Sequence, residues 1–250
     1  MATPYRLITI PPSHYCEKAR WALELAGVPF VEERHPPLLH WRATKKVGAG
    51  RTTPVLVADG EVLPDSTDIL EFLQDRPGDS WRPYPADSQL RSEVEDLEEL
   101  FDTRLGPHTR RLAYYHLLRD RALFLRSVLA GVGRGERVVF TTLAPVMAFL
   151  MRRGMNITPV SAERSLDRVR EVFSGVSARL ADGRCYLAGE AFTAADLTFA
   201  SLAAPAVLPP GYGSPLPAMD ELPADMLMVV EECRATPAGE FALKIYRDLR

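Results

Sequence analysis

The stretch Ser13-His14-Tyr15-Cys16-Glu17-Lys18-Ala19-Arg20-Trp21 decides how this chain is read. It follows a short apolar run, Leu7-Ile8-Thr9-Ile10, and a Pro11-Pro12 break. It opens a segment in which Cys16, Ala19, Ala22, Leu23 and Ala26 recur at helical spacing. Gly27 and Pro29 stop that segment. The order is therefore strand, turn, helix, with a hydroxyl at the helix entrance and a thiol one turn inside. The first turn of a helix has unpaired backbone N–H groups and the positive end of the dipole. A bound thiolate or carboxylate is stabilised there.

Working outward, residues 5–10 read as a first strand, β-prone and mostly apolar. Residues 30–34 alternate weakly and form a second. Pro36-Pro37 and two glycines make 35–50 a loop with one short helix. Residues 53–57 read as a strand that begins at a proline, and Asp59-Gly60 is a hairpin signal leading into a returning strand at 61–63. Pro64-Asp65-Ser66 then introduces a helix over 67–74, with Ile69, Leu70 and Leu73 on one side. Three prolines and a glycine without periodicity make 77–86 a linker.

Beyond the linker the pattern is helical. Leu90, Val94, Leu97, Phe101 and Leu105 mark one stripe, and the acidic residues from Glu93 to Asp102 are expected on solvated or partner-facing sides. Further helices are expected over 118–129, 142–151, 162–180, 193–207, 224–234 and 238–249, with a long loop at 205–217. Thr193-Ala194-Ala195-Asp196 has the form of a capping box, flanked by Phe192 and Leu197 as a hydrophobic staple.

Composition narrows the function classes. The chain has 250 residues, 46% apolar and 25% charged, a balance that builds packed cores. A net charge of −3 carries no basic excess toward nucleic acid or an anionic membrane. Cys16, Cys185 and Cys233 are odd in number, far apart and without metal spacing, which favours a reducing compartment and no metal. No signal peptide is read at the N-terminus. The most apolar segment, 138–151, is shorter than the roughly 20 residues of a spanning helix. The expectation is a cytoplasmic protein with no nucleic-acid or membrane partner.

Three pieces coincide: Ser-x-x-Cys at a strand-to-helix turn, Thr53-Pro54 before a hairpin, and Asp65-Ser66 opening the next helix. Together with the linker, the helical second half and the Thr-x-x-Asp box, they resemble glutathione transferases, over nearly the whole chain. The active turn is most similar to that of bacterial members with a serine there. It is also similar to the Cys-Pro-Tyr-Cys turn of glutaredoxins, with Ser13 in the first position. The resemblance implies a thioredoxin-like α/β N-terminal domain over 1–76 that binds glutathione, the linker over 77–86, and an all-α helical-bundle C-terminal domain over 87–250.

The resemblance also implies roles. Ser13 would donate to the glutathione sulfur and favour the thiolate, with His14 and Tyr15 as alternative donors. Pro54 would be cis, letting the Thr53 backbone pair with the cysteinyl unit. Asp65 would meet the γ-glutamyl ammonium and Ser66 its carboxylate, although family members more often carry Glu or Gln where Asp65 stands. His40 and Arg51, before Lys45 and Lys46 as alternatives, would meet the glycyl carboxylate. Tyr114 and Tyr115, with Leu105, Arg110, Arg111 and His116, are candidates for an electrophile pocket between the halves.

Cys16 occupies the inner position, where a lone cysteine is commonly buried and inert; exposed, it would make the protein a thiol reductase. The implied activity is attack of glutathione thiolate on a small hydrophobic electrophile, in detoxification, by a homodimer with glutathione as co-substrate and no metal. Isomerisation or reductive cleavage with glutathione, and ligand binding without catalysis, are the competing readings.

Overall fold

The computed structural model describes residues 4–76 and 81–250. Four strands form one mixed sheet: β1 (Tyr5–Thr9), β2 (Phe30–Arg34), β3 (Val55–Ala58) and β4 (Glu61–Leu63), in the order β2-β1-β3-β4. β1 pairs parallel with β2, Tyr5 opposite Phe30, and antiparallel with β3, Leu7 opposite Leu56. β3 returns antiparallel to β4 through Asp59-Gly60, both at positive φ, as the hairpin signal requires. The parallel pair needs a crossover, and α1 (His14–Leu25) supplies it.

α1 ends where the sequence says. Gly27 takes φ +64°, its N–H bonds to Glu24 O at 3.0 Å, and Val28 N–H bonds to Leu23 O at 2.9 Å. This closure caps the last carbonyls and turns the chain into β2. α2 (His40–Lys46) follows β2, and α3 (Ser66–Gln74) follows β4 and packs on α1.

The second half contains α4 (Ser88–Arg104), α5 (Gly106–Leu117), α6 (Arg121–Val128), α7 (Arg134–Thr142), α8 (Ala144–Gly154) and α9 (Pro159–Leu180). α10 (Ala194–Val207), a 3-10 turn at Met219–Glu221, α11 (Ala224–Arg234) and α12 (Pro237–Leu249) complete it. α10 is the central helix: every residue but Pro205 is buried, against α1, α4, α5 and α12. A helix apolar all round belongs in the middle of a core. Its entrance is held by Asp196, whose carboxylate accepts from Leu187 N at 2.7 Å and from Thr193 N at 2.9 Å and Oγ1 at 3.0 Å.

Three expectations need correction. The acidic face of α4 is not wholly solvated, because Glu98 is buried and Asp102 half-buried, both bonded to Lys18. The expected helix over 118–129 is preceded by the separate α5, and Asp120 between them caps α6 at Ala122 N and Leu123 N. The Gly106-Pro107 pair looks like a breaker but lies in the first turn of α5, where proline is tolerated. The expected helix over 142–151 is α8, ending at Gly154 with Pro145 in its first turn, and it too is preceded by a separate helix, α7.

Of the expected linker, residues 77–80 lie outside the described ones. The rest is anchored: Trp81 Nε1 donates to Phe192 O at 2.9 Å, and the buried Tyr84 hydroxyl donates to Glu98 Oε2 at 2.6 Å.

Candidate functional site

Three segments of the N-terminal half converge on one cavity of about 420 Å³. The turn before β3 contributes Thr53 and Pro54, joined by a cis peptide bond. The start of α3 contributes Asp65, Ser66 and Thr67. α1 contributes Tyr15. Asp65 is the N-cap of α3 and accepts from Thr67 N at 2.9 Å. Ser66 follows it in the first turn, where backbone N–H groups have no intrahelical partner. An anion is stabilised at such a terminus.

The helical half closes the same cavity with Glu99, Asp102 and Arg110. Asp102 Oδ2 accepts from the buried Lys18 ammonium at 2.8 Å and from Thr67 Oγ1 at 3.3 Å. Its other oxygen, Oδ1, is buried and has no partner among the described residues. Burial raises the Asp102 pKa, with Lys18 opposing the shift. Burial acts on Lys18 in the opposite sense, and Glu98 and Asp102 outweigh it, so the ammonium stays charged. Such a buried cation between two carboxylates holds α1 against α4. Tyr15 adds a bond from its hydroxyl to Asp102 O at 2.7 Å. Desolvation drives the Tyr15 pKa well up, so it is a neutral phenol.

A second, narrower and largely apolar cavity adjoins the first. Ser13 and His14 line it from the start of α1, with Arg110, Tyr114 and Leu117 from α5. Leu208, Tyr212 and Leu216, from the segment after α10, line its other side. Arg110 borders both cavities and has no ion-pair partner among the described residues. His14 Nε2 donates to Gly106 O at 2.8 Å, which leaves Nδ1 unprotonated. Burial pushes the His14 pKa down to about 3, with Arg110 adding to the fall, so the ring is neutral. Ser13 is the N-cap of α1, its Oγ accepting from Cys16 N at 3.4 Å. The hydroxyl proton is left free to donate elsewhere.

In sequence, residues 7–81 match the family model of the glutathione S-transferase N-terminal domain, and residues 159–224 match that of the C-terminal domain. The chain belongs to the glutathione S-transferase superfamily.

The two matches together span more than half of the chain. No curated protein matches it by sequence. Solved structures share the fold. β-Etherase LigF from Sphingobium sp. strain SYK-6 is 19% identical, with 97% of this chain and 99% of that one covered and a TM-score of 0.62. Glutathione transferase GSTFuA3 from Phanerochaete chrysosporium is 17% identical, covering 100% and 98%, with a TM-score of 0.62. A glutathione S-transferase from Methylobacterium radiotolerans, in complex with glutathione sulfonate, is 18% identical, covering 96% and 95%, with a TM-score of 0.56.

Against the residues that the transferase resemblance nominated, the structure divides. Tyr15, Thr53, Pro54, Asp65 and Ser66 meet in the first cavity, and Ser13 and Tyr114 meet in the second. Cys16 reaches neither: it is wholly buried, with Ile10 N 3.5 Å from its sulfur. Burial raises its pKa above the ordinary thiol value, with the Ser13 hydroxyl opposing the shift, so it is a poor nucleophile.

His40 is also buried, and its Nε2 donates to Arg51 O at 2.9 Å; it ties the loop and lines no part of the cavity. Arg51 is exposed and lies over the Trp41 ring at 4.9 Å. Tyr115 packs beside Arg119 at 5.3 Å and lies outside the lining of the apolar cavity, as do Leu105, Arg111 and His116.

Asp102 escaped sequence reasoning. Its only sequence signal is the Glu98/Asp102 spacing of one helical turn beside an apolar stripe, a pattern that solvated helix faces share. Among the described residues, no group of His, Cys, Asp and Glu is arranged to hold a metal ion, and no helix is long and apolar enough to cross a membrane.

Proposed function

We propose that this protein is a glutathione transferase that activates the glutathione thiol for attack on a small, largely apolar electrophile. The observation that carries the reading is the pairing of cavities. A polar one, with a helix N-terminus and the Asp65 and Asp102 residues in its wall, adjoins an apolar one at Arg110.

In this reading the γ-glutamyl carboxylate lies at the Ser66 N–H and hydroxyl. Its ammonium lies between Asp65 and Asp102, in the wall of the same cavity. The Thr53 backbone pairs with the cysteinyl unit. The sulfur sits at the entrance of α1, where Ser13 Oγ donates to it. A donor there together with the helix dipole lowers a thiol pKa from its usual value near 8.5 by about one or two units. Arg110 adds a positive charge on the same side. The thiol proton leaves to solvent. The thiolate electron pair forms the new sulfur–carbon bond, and the leaving group departs with the pair of the broken bond.

The thiol-reductase reading through Cys16 is disfavoured by the burial of that sulfur. By family resemblance the reading includes a homodimer working in the cytoplasm on electrophile detoxification. Isomerisation and reductive cleavage use the same bound thiolate and are separated by product analysis.

The test is calorimetric binding of glutathione followed by turnover over an electrophile panel, with wild type and Ser13→Ala. The expected result is micromolar-to-millimolar binding in both and a loss of turnover in the variant of about 10²-fold, the scale of one removed oxyanion-type donor. Full turnover in Ser13→Ala removes Ser13 from the mechanism. Binding without turnover over the whole panel favours a ligand-holding protein, and no binding at all sinks the enzymatic reading.

A further inference from the structure

The helix pair α7–α8 is built inside out on its solvent side. Val138 and Val139 of α7, Leu143 between the helices, and Val146, Phe149 and Leu150 of α8 are all exposed, Phe149 by 62% and Val138 by 65%. Positions 138, 139 and 142 of α7, and positions 146, 149, 150 and 153 of α8, fall at the three- and four-residue spacing of one face of each helix, with Thr142 and Arg153 as the polar members. The inward faces have their own core, with Phe140, Met147 and Met151 packed together. Both sides of the pair are thus apolar, which a helix in water does not require. A cluster of this size on a surface marks an interaction site.

Charge selects the partner. The whole chain is −3, but between residues 121 and 157 the sequence has six arginines and one carboxylate, Glu136. Glu136 is occupied by His35 Nδ1 at 2.8 Å. Arg137 and Arg152 donate to the carbonyls of Leu129 and Leu118, while Arg126 pairs with Glu221. Arg134, at the start of α7, and Arg153, at the end of α8, are exposed and unpaired among the described residues. In sequence they bracket the exposed apolar positions, one before Val138 and one after Leu150.

A second copy is a poor occupant. An isologous contact through this face would bring Arg134 and Arg153 of both copies together. An apolar stripe with arginines at its margins is the pattern of helices that lie in a bilayer interface, apolar face among the acyl chains and guanidinium groups at the headgroups.

We infer that the α7–α8 face docks peripherally on an anionic lipid bilayer. The patch lies outside both family matches. Tyr114, which lines the apolar cavity, also packs on the inner core of this helix pair. Docking therefore brings the wall of that cavity toward the phase in which apolar electrophiles dissolve. The inference rests on the surface alone and stands whether or not the proposed reaction is correct.

The experiment is vesicle flotation of the full-length chain, with vesicles of phosphatidylcholine alone and of phosphatidylcholine mixed with phosphatidylglycerol. Binding is expected to the anionic mixture, to weaken with salt, and to be slight on phosphatidylcholine alone. Val146→Ser with Phe149→Ser is expected to lower partitioning by about tenfold or more, tenfold being the scale of removing about two methylene equivalents from the interface. Arg134→Gln with Arg153→Gln should weaken binding to the anionic vesicles only. All four positions are exposed, and unchanged circular dichroism and glutathione affinity check the fold. No flotation with the anionic vesicles overturns the inference, as does binding that both double variants leave unchanged. A self-association in ultracentrifugation that Phe149→Ser abolishes also overturns it, and assigns the face to a second copy.

Discussion

Lys18 of α1 places its ammonium 2.7 Å from Glu98 Oε1 and 2.8 Å from Asp102 Oδ2 on α4, wholly buried between the two halves of the molecule. These two bonds join α1 to the helical half. They also fix the Asp102 carboxylate in the wall of the first cavity. Asp102→Asn should weaken glutathione binding by about tenfold, the scale of one charge-assisted hydrogen bond, in calorimetry. Lys18→Met leaves two carboxylates facing each other without a cation. It should destabilise the protein by roughly 3–5 kcal/mol in denaturant unfolding. Equal stability of Lys18→Met and wild type would show that water, and not Lys18, satisfies these carboxylates.

Gly106 begins α5 directly against Tyr15. A Cβ there would overlap the Tyr15 hydroxyl and lie 2.6 Å from its Cζ. Gly106→Ala must push the ring aside and break its bond to Asp102 O. The expected cost is about 1–3 kcal/mol of stability, the range for overpacking a filled site. A fall in glutathione affinity should accompany it, since Tyr15 lines the same cavity. Thermal unfolding and calorimetry on one preparation check both.

Asp196 makes stability pH-dependent in an unusual direction. Burial pushes its pKa up from 3.8 to about 6, with the bonds from Leu187 and Thr193 opposing the shift. The folded state therefore binds this proton more tightly than the unfolded state. Between about pH 4 and pH 6 the contribution of Asp196 falls as pH rises, by at most about 3 kcal/mol at roughly 1.4 kcal/mol per unit. Asp196→Asn should flatten the slope of unfolding free energy against pH over that window. An unchanged slope in the variant would assign the titration elsewhere.

Arg250, at the end of the chain, reaches back to Glu17 of α1 with Nε 2.9 Å from Oε1, and the same carboxylate accepts from Gly213 N at 3.1 Å. Tyr212 beside it donates to Pro12 O at 3.1 Å and lines the apolar cavity. Arg250→Ala removes one of the two guanidinium groups on Glu17, which keeps Arg20, and should cost about 2 kcal/mol of stability, the scale of a charge-assisted hydrogen bond. Loosening the segment that carries Tyr212 should raise KM for the electrophile while glutathione affinity is unchanged. Steady-state kinetics with each substrate varied separates the two effects.

Much of this was legible in the residues. The capped start of α1, its glycine stop, the Asp59-Gly60 hairpin, the Asp65 cap of α3 and the Thr193 entrance of α10 are all local. Each depends on partners within about five residues, and the sequence displays such partners side by side. The apolar stripe of α4 is local too. The sequence by itself therefore determined the order of elements in the N-terminal half and most of the later helices, though not α5 or α7, together with the transferase resemblance and the segments at 13–16, 53–54 and 65–66 that face one another. Only the tertiary structure decided which side chains do so. Cys16 turned inward and His40 took a backbone carbonyl, because the core and the loop needed them more than a cavity did. Asp102 and Arg110 entered the site because Lys18, Tyr15 and His14 draw α4 and the start of α5 onto α1. Those bonds join residues more than 80 positions apart, and a side chain that answers so distant a partner has no periodicity of its own to announce it.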